Sequence, residues 1–255
     1  MKKDLFKLSL FVAAFAAVVL LAACQKADSE PGNDTENVTE VTSRANADSK
    51  VFPPTAHPHG KSYPEWTQVW LEQFNTYDCE TVPWANPESV LFYTSGPVYM
   101  LAGIAEVGGE ANITVPHGKA LMFPLVNVWL NYPCPEDWGW EPPAGVPIGE
   151  WLTDEVEGAL TNIDVSSLSV TIDGNNVSNM GSYKFVSDPF DCTVNPDLAN
   201  CGVDPCATGE PQPTVMGGYY VMLKPLSKGQ HTVHYHMYAP NWNALQDATY
   251  NITVE

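Results

Sequence analysis

The tightest constraint on this chain lies near its C-terminus, where apolar and polar residues alternate through two consecutive segments. Over Gln230–Tyr238, Val233, Tyr235 and Met237 alternate with Thr232, His234 and His236. Over Ala248–Val254, Ala248, Tyr250, Ile252 and Val254 alternate with Thr249, Asn251 and Thr253. A period of two puts successive side chains on opposite faces of a strand, so each segment buries one face and wets the other. Such strands need a second layer over their apolar faces. Further strand candidates are Val90–Tyr93, Pro97–Ile104, Ala111–Val115, Lys119–Val126, Leu168–Ile172, Tyr183–Ser187 and Gly218–Lys224, with Asp173-Gly174 and Pro225–Gly229 as turns. Two segments have helical spacing instead. Ser62–Glu65 reads as a capping box followed by Tyr63, Trp66, Val69, Trp70, Phe74 and Tyr77 on one face, an aromatic stripe suited to core packing. Pro147 opens a second helix with Ile148, Trp151, Leu152, Val156, Ala159 and Leu160 on one face. The predicted fold is mainly β: an antiparallel β-sandwich, Ig-like or jelly-roll-like, with two short amphipathic helices.

The N-terminus reads as an export address. Lys2, Lys3 and Lys7 precede the apolar run Leu8–Ala23, which is short for a bilayer span and has no stop-transfer flank. Leu21-Ala22-Ala23-Cys24 resembles the bacterial lipoprotein signal, which implies diacylglycerol on the Cys24 thiol and cleavage just before it. An ordinary secretory signal, with Cys24 incidental, is the alternative. More than one acyl chain holds a protein on a bilayer without crossing it. Gln25 after the cysteine resembles the default sorting to the outer membrane of a diderm, so the expected location is the bacterial cell envelope. Residues 24–56 are polar and acidic and read as the acylated N-terminus and a flexible linker; residues 57–255 read as one domain. The chain has 30 acidic against 11 basic residues, a formal net charge of −19. That field repels nucleic acid and anionic lipid surfaces. It leaves cations, neutral glycans or basic partners, or solubility alone.

Cys79, Cys134, Cys192, Cys201 and Cys206 are an odd set in an oxidising compartment, for which two bridges and one free thiol is the simplest count. Cys192, Cys201 and Cys206 share a stretch rich in Pro, Asp, Asn and Gly. At least one bridge is expected to staple that loop, contributing roughly 2–3 kcal/mol. A zinc site is the alternative, but the chain has no C-x2-C pair.

Several segments together resemble a group of exported bacterial signal-peptide and lipoprotein-type proteins. They are Ser62-Tyr63-Pro64-Glu65-Trp66 with Trp70, the run from Gly96 to Gly103 (GPVYMLAG), the run from Val115 to Pro124 (VPHGKALMFP), the run from Gly218 to Leu226 (GYYVMLKPL), and Gly229-Gln230-His231-Thr232-Val233-His234 before the closing strand. The resemblance implies no activity. In that pattern the positions of His117 and His236 are usually a small residue and glycine, which weakens a metal site built on those two histidines.

Four constellations are candidates for chemistry. His234 and His236 lie on one face of a strand and can meet one transition metal, with a third ligand from the neighbourhood of His231, from His57 or His59, or from His117; a solvated face is the other reading. Trp129, Tyr132, Trp138 and Trp140, interleaved with Glu136, Asp137 and Glu141, suit a ligand-binding surface for a glycan or a surface partner, or a rigid loop folded over the sheet end. Asp188, Asp191, Asp197 and Asp204 are hard oxygen donors for calcium, or simply solvated. Glu136 and Asp137 could act as acid and base, although adjacent carboxylates rarely oppose each other across a substrate. No G-x-S-x-G, H-E-x-x-H or phosphate loop is present, so the chain reads more as a binding protein than as an enzyme; the alternatives are a metal-dependent envelope enzyme built on His234 and His236, and a structural envelope protein without a small ligand.

Overall fold

The computed structural model describes residues 47–135 and 139–255. The signal, Cys24, most of the linker, and Glu136, Asp137 and Trp138 lie outside the described residues. Among the described residues no helix is long and apolar enough to cross a membrane.

The fold is a β-sandwich with two principal helices. Strands β1 (Leu91–Tyr93), β2 (Val98–Leu101), β4 (Ala120–Asn131), β9 (Pro211–Leu223) and β7 (Lys184–Val186) form the first sheet in the order β1-β2-β4-β9-β7, and β8 (Phe190–Thr193) also pairs with β9. The second sheet runs β3-β11-β10-β5-β6, from β3 (Gly109–Val115), β5 (Ser169–Ile172), β6 (Asn175–Asn176), β10 (Gly229–Ala239) and β11 (Ala244–Val254). Pairing is mostly antiparallel, but β2 runs parallel to β4 and β3 parallel to β11. Alternation fixes which face of a strand is buried, not the direction of its neighbour, so these two pairs carry no sequence signature.

The sandwich core is aromatic. Phe123 of β4 meets Tyr235 of β10 and Tyr250 of β11 at ring-centroid distances of 5.8 and 5.5 Å. The Tyr250 hydroxyl donates to the Ala102 carbonyl at 2.6 Å, and the Ile104 N–H donates to the Tyr235 hydroxyl at 3.1 Å. Tyr250→Phe removes that donor without changing the ring, and a loss of about 1–3 kcal/mol in urea denaturation is expected. A loss under a few tenths of a kcal/mol would mean that the carbonyl finds another partner.

Helix α1 (Tyr63–Phe74) starts at the expected capping box: Ser62 Oγ accepts from the Glu65 N–H, and the Glu65 carboxylate accepts from the Ser62 N–H. Its stripe packs on the outer face of the first sheet, with Trp70 against Tyr220 and the Tyr63 hydroxyl accepting from Met222 N–H. Helix α2 (Ile148–Leu160) covers the other face, beyond the end of the second sheet. There Gly217 lets Val156 and Leu160 approach β9, because a Cβ at that position would lie 2.6 Å from Val156 Cγ1. Residues 217 and 220 point to opposite sides of one strand, which places α1 and α2 on opposite faces.

The bridges are Cys79–Cys201 and Cys134–Cys206, and Cys192 is a free, buried thiol. The count of two bridges holds, but neither closes the loop on itself. Cys201 reaches back to the exit of α1 and Cys206 to the exit of β4. Cys192 turns inward on β8, where Asn75 Nδ2 donates to its sulfur at 3.4 Å. The closed segments therefore span 122 and 72 residues instead of a short loop.

Candidate functional site

The aromatic segment does not form one surface among the described residues. Trp129 lies on β4, half-buried, 5.9 Å from the Phe74 ring of α1, and its indole N–H donates to Asp204 Oδ2 at 2.9 Å. Trp140 is buried on the opposite side, 4.3 Å from the Trp151 ring of α2 and 6.4 Å from Tyr132. Trp129 and Trp140 therefore face away from each other across the sheet. The Tyr132 hydroxyl donates to the Glu141 carboxylate, which pushes its own pKa up.

The two histidines do share a face of β10, but each ring has a separate partner. His234 Nε2 is 3.1 Å from Asp247 Oδ1 on β11, and His236 Nδ1 is 2.9 Å from the Ser167 carbonyl. His59 packs on Phe52, and His117 follows β3, where its N–H donates to the Glu255 carbonyl. Among the described residues no group of three or more His, Cys, Asp or Glu side chains is placed to hold a metal. The acidic loop is similarly committed. Asp197 accepts from Cys79 N–H and Asn200 Nδ2, Asp204 is buried, and Asp191 sits exposed on β8.

A Ser–His–Asp contact occurs where β9 turns into β10. His231 Nδ1 is 2.9 Å from Asp173 Oδ2, and its Nε2 is 3.2 Å from Ser227 Oγ. The Ser227 carbonyl is nearer to the same Nε2, at 2.9 Å. A ring nitrogen that donates to a carbonyl has no lone pair for the hydroxyl, so this is a turn clamp and not an activated nucleophile. Partial burial raises the Asp173 carboxyl, but Lys50, His231 and the Thr232 N–H outweigh it and bring it down to about 2. The clamp ties three segments together at one end of the second sheet.

A groove runs between α2 and β4, with a volume of about 290 Å³. Val128, Leu130 and Ala159 line its apolar side, Trp242 lines it from the turn opposite, and Asp154 and Glu155 stand on the helix beside it. Trp242 lies in the turn Pro240–Trp242 between β10 and β11, which is pinned to the end of α2 by Asn241 Nδ2 donating to Asn162 Oδ1 at 2.9 Å. Among the described residues neither Asp154 nor Glu155 has a hydrogen-bond or ion-pair partner. Gly158 also lines the groove, and a Cβ there would meet nothing within 4 Å. Gly217 is glycine because α2 crowds it; no such contact accounts for Gly158. A flat ring opposite an apolar lining with free carboxylates beside it can stack on one face of a sugar and accept its hydroxyl protons. Of these residues only Ala159 carries a sequence expectation, as part of the apolar face of the helix. The available signal was a stripe of acidic and small residues at positions 154, 155 and 158 of a helix whose other face is apolar.

No protein-family model and no curated protein matches this sequence. Solved structures with some likeness include the cysteine protease inhibitor EhICP2 from Entamoeba histolytica, 12% identical, covering 62% of this chain and 96% of that one, with a TM-score of 0.24. Amebosin is 9% identical, covering 63% of this chain and all of that one, with a TM-score of 0.22. PbICP-C, solved in complex with falcipain-2, is 14% identical over 63% of this chain, with a TM-score of 0.23. At such scores no property of those proteins is carried over to this chain.

Proposed function

We propose that this chain is a lipoprotein of the bacterial envelope, anchored through Cys24, whose β-sandwich domain binds a glycan in the groove between α2 and β4. The observation that supports this reading is the groove itself: an aromatic side chain, an apolar lining and two unengaged carboxylates, with a helix glycine leaving the space open. Acidic rims suit neutral or amine-bearing sugars and repel anionic ones.

The test compares three substitutions, one at Trp242 and two at Gly158. Trp242→Ala is expected to weaken retention on immobilised polysaccharide at least about tenfold, the loss of roughly 1.4 kcal/mol or more that a stacked ring contributes. Gly158→Ala is expected to stabilise the helix by about 0.5–1 kcal/mol. Gly158→Leu fills the groove and is expected to abolish retention while the protein stays folded, so that lost binding is separated from lost structure. Unchanged retention in both Trp242→Ala and Gly158→Leu overturns the reading. Anchoring is checked separately by fatty-acid labelling, which Cys24→Ser is expected to abolish.

A further inference from the structure

Under the C-terminal end of α1 the cystine loop is joined to the first sheet through a polar network sealed from solvent. Asn131, Asp204, Gln212 and Thr214 are 2%, 3%, 2% and 0% exposed. Asp204 Oδ1 accepts from the Cys206 N–H and Oδ2 from the Trp129 indole, each at 2.9 Å. The groups around it are Trp129 and Asn131 from β4, Gln212 of β9 through Asn131, and the Cys192 thiol from β8. From α1, Glu72 acts on that same thiol, and the loop's Asp197 is turned to Cys79 and Asn200. No lysine, arginine or histidine is among them.

The direction of the hydrogen bonds decides where a proton belongs. Gln212 Nε2 donates to the Pro133 carbonyl at 2.7 Å and to the Cys206 carbonyl at 3.0 Å. Its Oε1 therefore faces the other way, accepting from Thr208 N–H at 3.2 Å and Thr208 Oγ at 2.9 Å. Asn131 turns its Nδ2 to that acceptor at 3.3 Å, which sets its Oδ1 against the Asp204 carboxyl. The amide atom on that side lies 3.2 Å from Asp204 Oδ1 and 3.1 Å from Oδ2. Two acceptors at that separation repel unless one carries a proton. Turning the Asn131 amide over gives the carboxylate a donor but puts Asn131 Oδ1 3.3 Å from Gln212 Oε1, so the conflict only moves. A single proton on Asp204 satisfies every member of the network.

We propose that Asp204 is a neutral carboxylic acid in the folded protein, donating its proton to Asn131 Oδ1, and that giving up this proton to solvent unlatches the cystine loop from the sheet. Burial is the largest effect and pushes the carboxyl above its ordinary 3.8, against the lowering by the Trp129 indole and the Cys206 N–H. Because the folded-state pKa is raised, the folded protein binds the extra proton between the ordinary value and the raised one. The stability tied to this group is present at the acid end of that window. It falls as pH rises through it, by up to about tenfold in the folding equilibrium per pH unit. The release reaches the segment after β4, since Cys134 is bonded to Cys206, Pro133 to Gln212, and Tyr132 N–H to the Pro213 carbonyl.

The test follows the Trp129 indole N–H resonance, assigned by its loss in Trp129→Phe, by NMR in the purified, disulfide-bonded protein from about pH 3 to pH 9. A one-proton transition with a midpoint above 3.8, absent in Asp204→Asn, is expected. A fall in amide protection through 198–206 on the alkaline side, measured relative to the base-catalysed intrinsic exchange rate, is expected with it. A resonance that stays flat, or that titrates at or below 3.8, overturns the proposal. If Asp204→Asn does not fold, carboxyl-labelled aspartate in the unaltered protein decides. One carboxyl sharing the Trp129 midpoint supports the latch, and every carboxyl at or below the ordinary value overturns it.

Discussion

Gly218→Ala is expected to destabilise the protein by roughly 3 kcal/mol or more, beyond the usual range for one added methyl group. A Cβ at this position would lie 2.3 Å from the Val126 carbonyl oxygen, 2.9 Å from Asn127 Cα and 2.9 Å from Tyr220 Cε2. Two of those atoms are backbone, in the stretch where β4 shifts register against β9 between Pro124 and Val126. A side chain can rotate away from an intruding methyl; a paired strand can only separate. The third atom belongs to Tyr220, which is fully buried against Trp70 and has no free rotamer to take. Relief therefore has to come from opening the β4–β9 pair, the pair on which both helices rest. Gly217 is the control. A Cβ there meets Val156 Cγ1 at 2.6 Å, Leu160 Cδ1 at 3.0 Å and Val186 Cγ2 at 3.1 Å. All are ends of side chains, so Gly217→Ala is expected to cost only about 1–3 kcal/mol. Urea denaturation of both variants gives the order directly. A Gly218→Ala protein within 1 kcal/mol of the parent, or more stable than Gly217→Ala, would show that the bulge can slide.

The same two glycines mark where local sequence signals end and tertiary contacts begin. The strand over Gly218–Lys224 continues back to Pro211, but Gly217-Gly218 and the prolines at 211 and 213 look like punctuation when seen locally. Their reasons are tertiary: α2 crowds residue 217, β4 crowds residue 218, and Pro213, with no N–H to offer, still accepts from Tyr132 through its carbonyl. Likewise β4 runs on through Asn131, so Trp129 belongs to a strand and not to the aromatic loop in which its neighbours suggested it. The elements that were legible have strong local signals: the capping box before Tyr63, the alternation in β10 and β11, and the turn at Asp173-Gly174, where both residues adopt positive φ. The groove had no such signal. It exists because the turn carrying Trp242 reaches across to the end of α2, a meeting of segments 79 residues apart at the Asn162–Asn241 contact. Disulfide partners are hidden for the same reason, since spacing counts cysteines but does not pair them.

Removing the Cys79–Cys201 bridge is expected to have the other large effect. Chain-entropy reasoning for a closed segment of 122 residues gives about 5 kcal/mol, against about 4.5 kcal/mol for the 72 residues closed by Cys134–Cys206. Native bridges often contribute less, so a loss of roughly 2–5 kcal/mol is expected for the Cys79→Ala, Cys201→Ala double variant. Both cysteines have to go together. A lone thiol at either position could attack the remaining bridge, whereas Cys192, buried and with its pKa pushed up by burial, is a poor nucleophile in the native state. The native fold itself has other ties at this point. Asp197 Oδ2 still accepts from the residue 79 N–H at 3.0 Å, and α1 stays seated through Trp70 and Phe74. The substitution should therefore act mainly on the unfolded chain, releasing segments that the bridge had kept close. That origin has its own signature in urea denaturation. An unfolded chain freed of a long cross-link exposes more surface, so the slope of stability against urea should steepen as the midpoint falls. A lower midpoint at unchanged slope would instead place the loss in the native state, with α1 or the cystine loop displaced from the sheet.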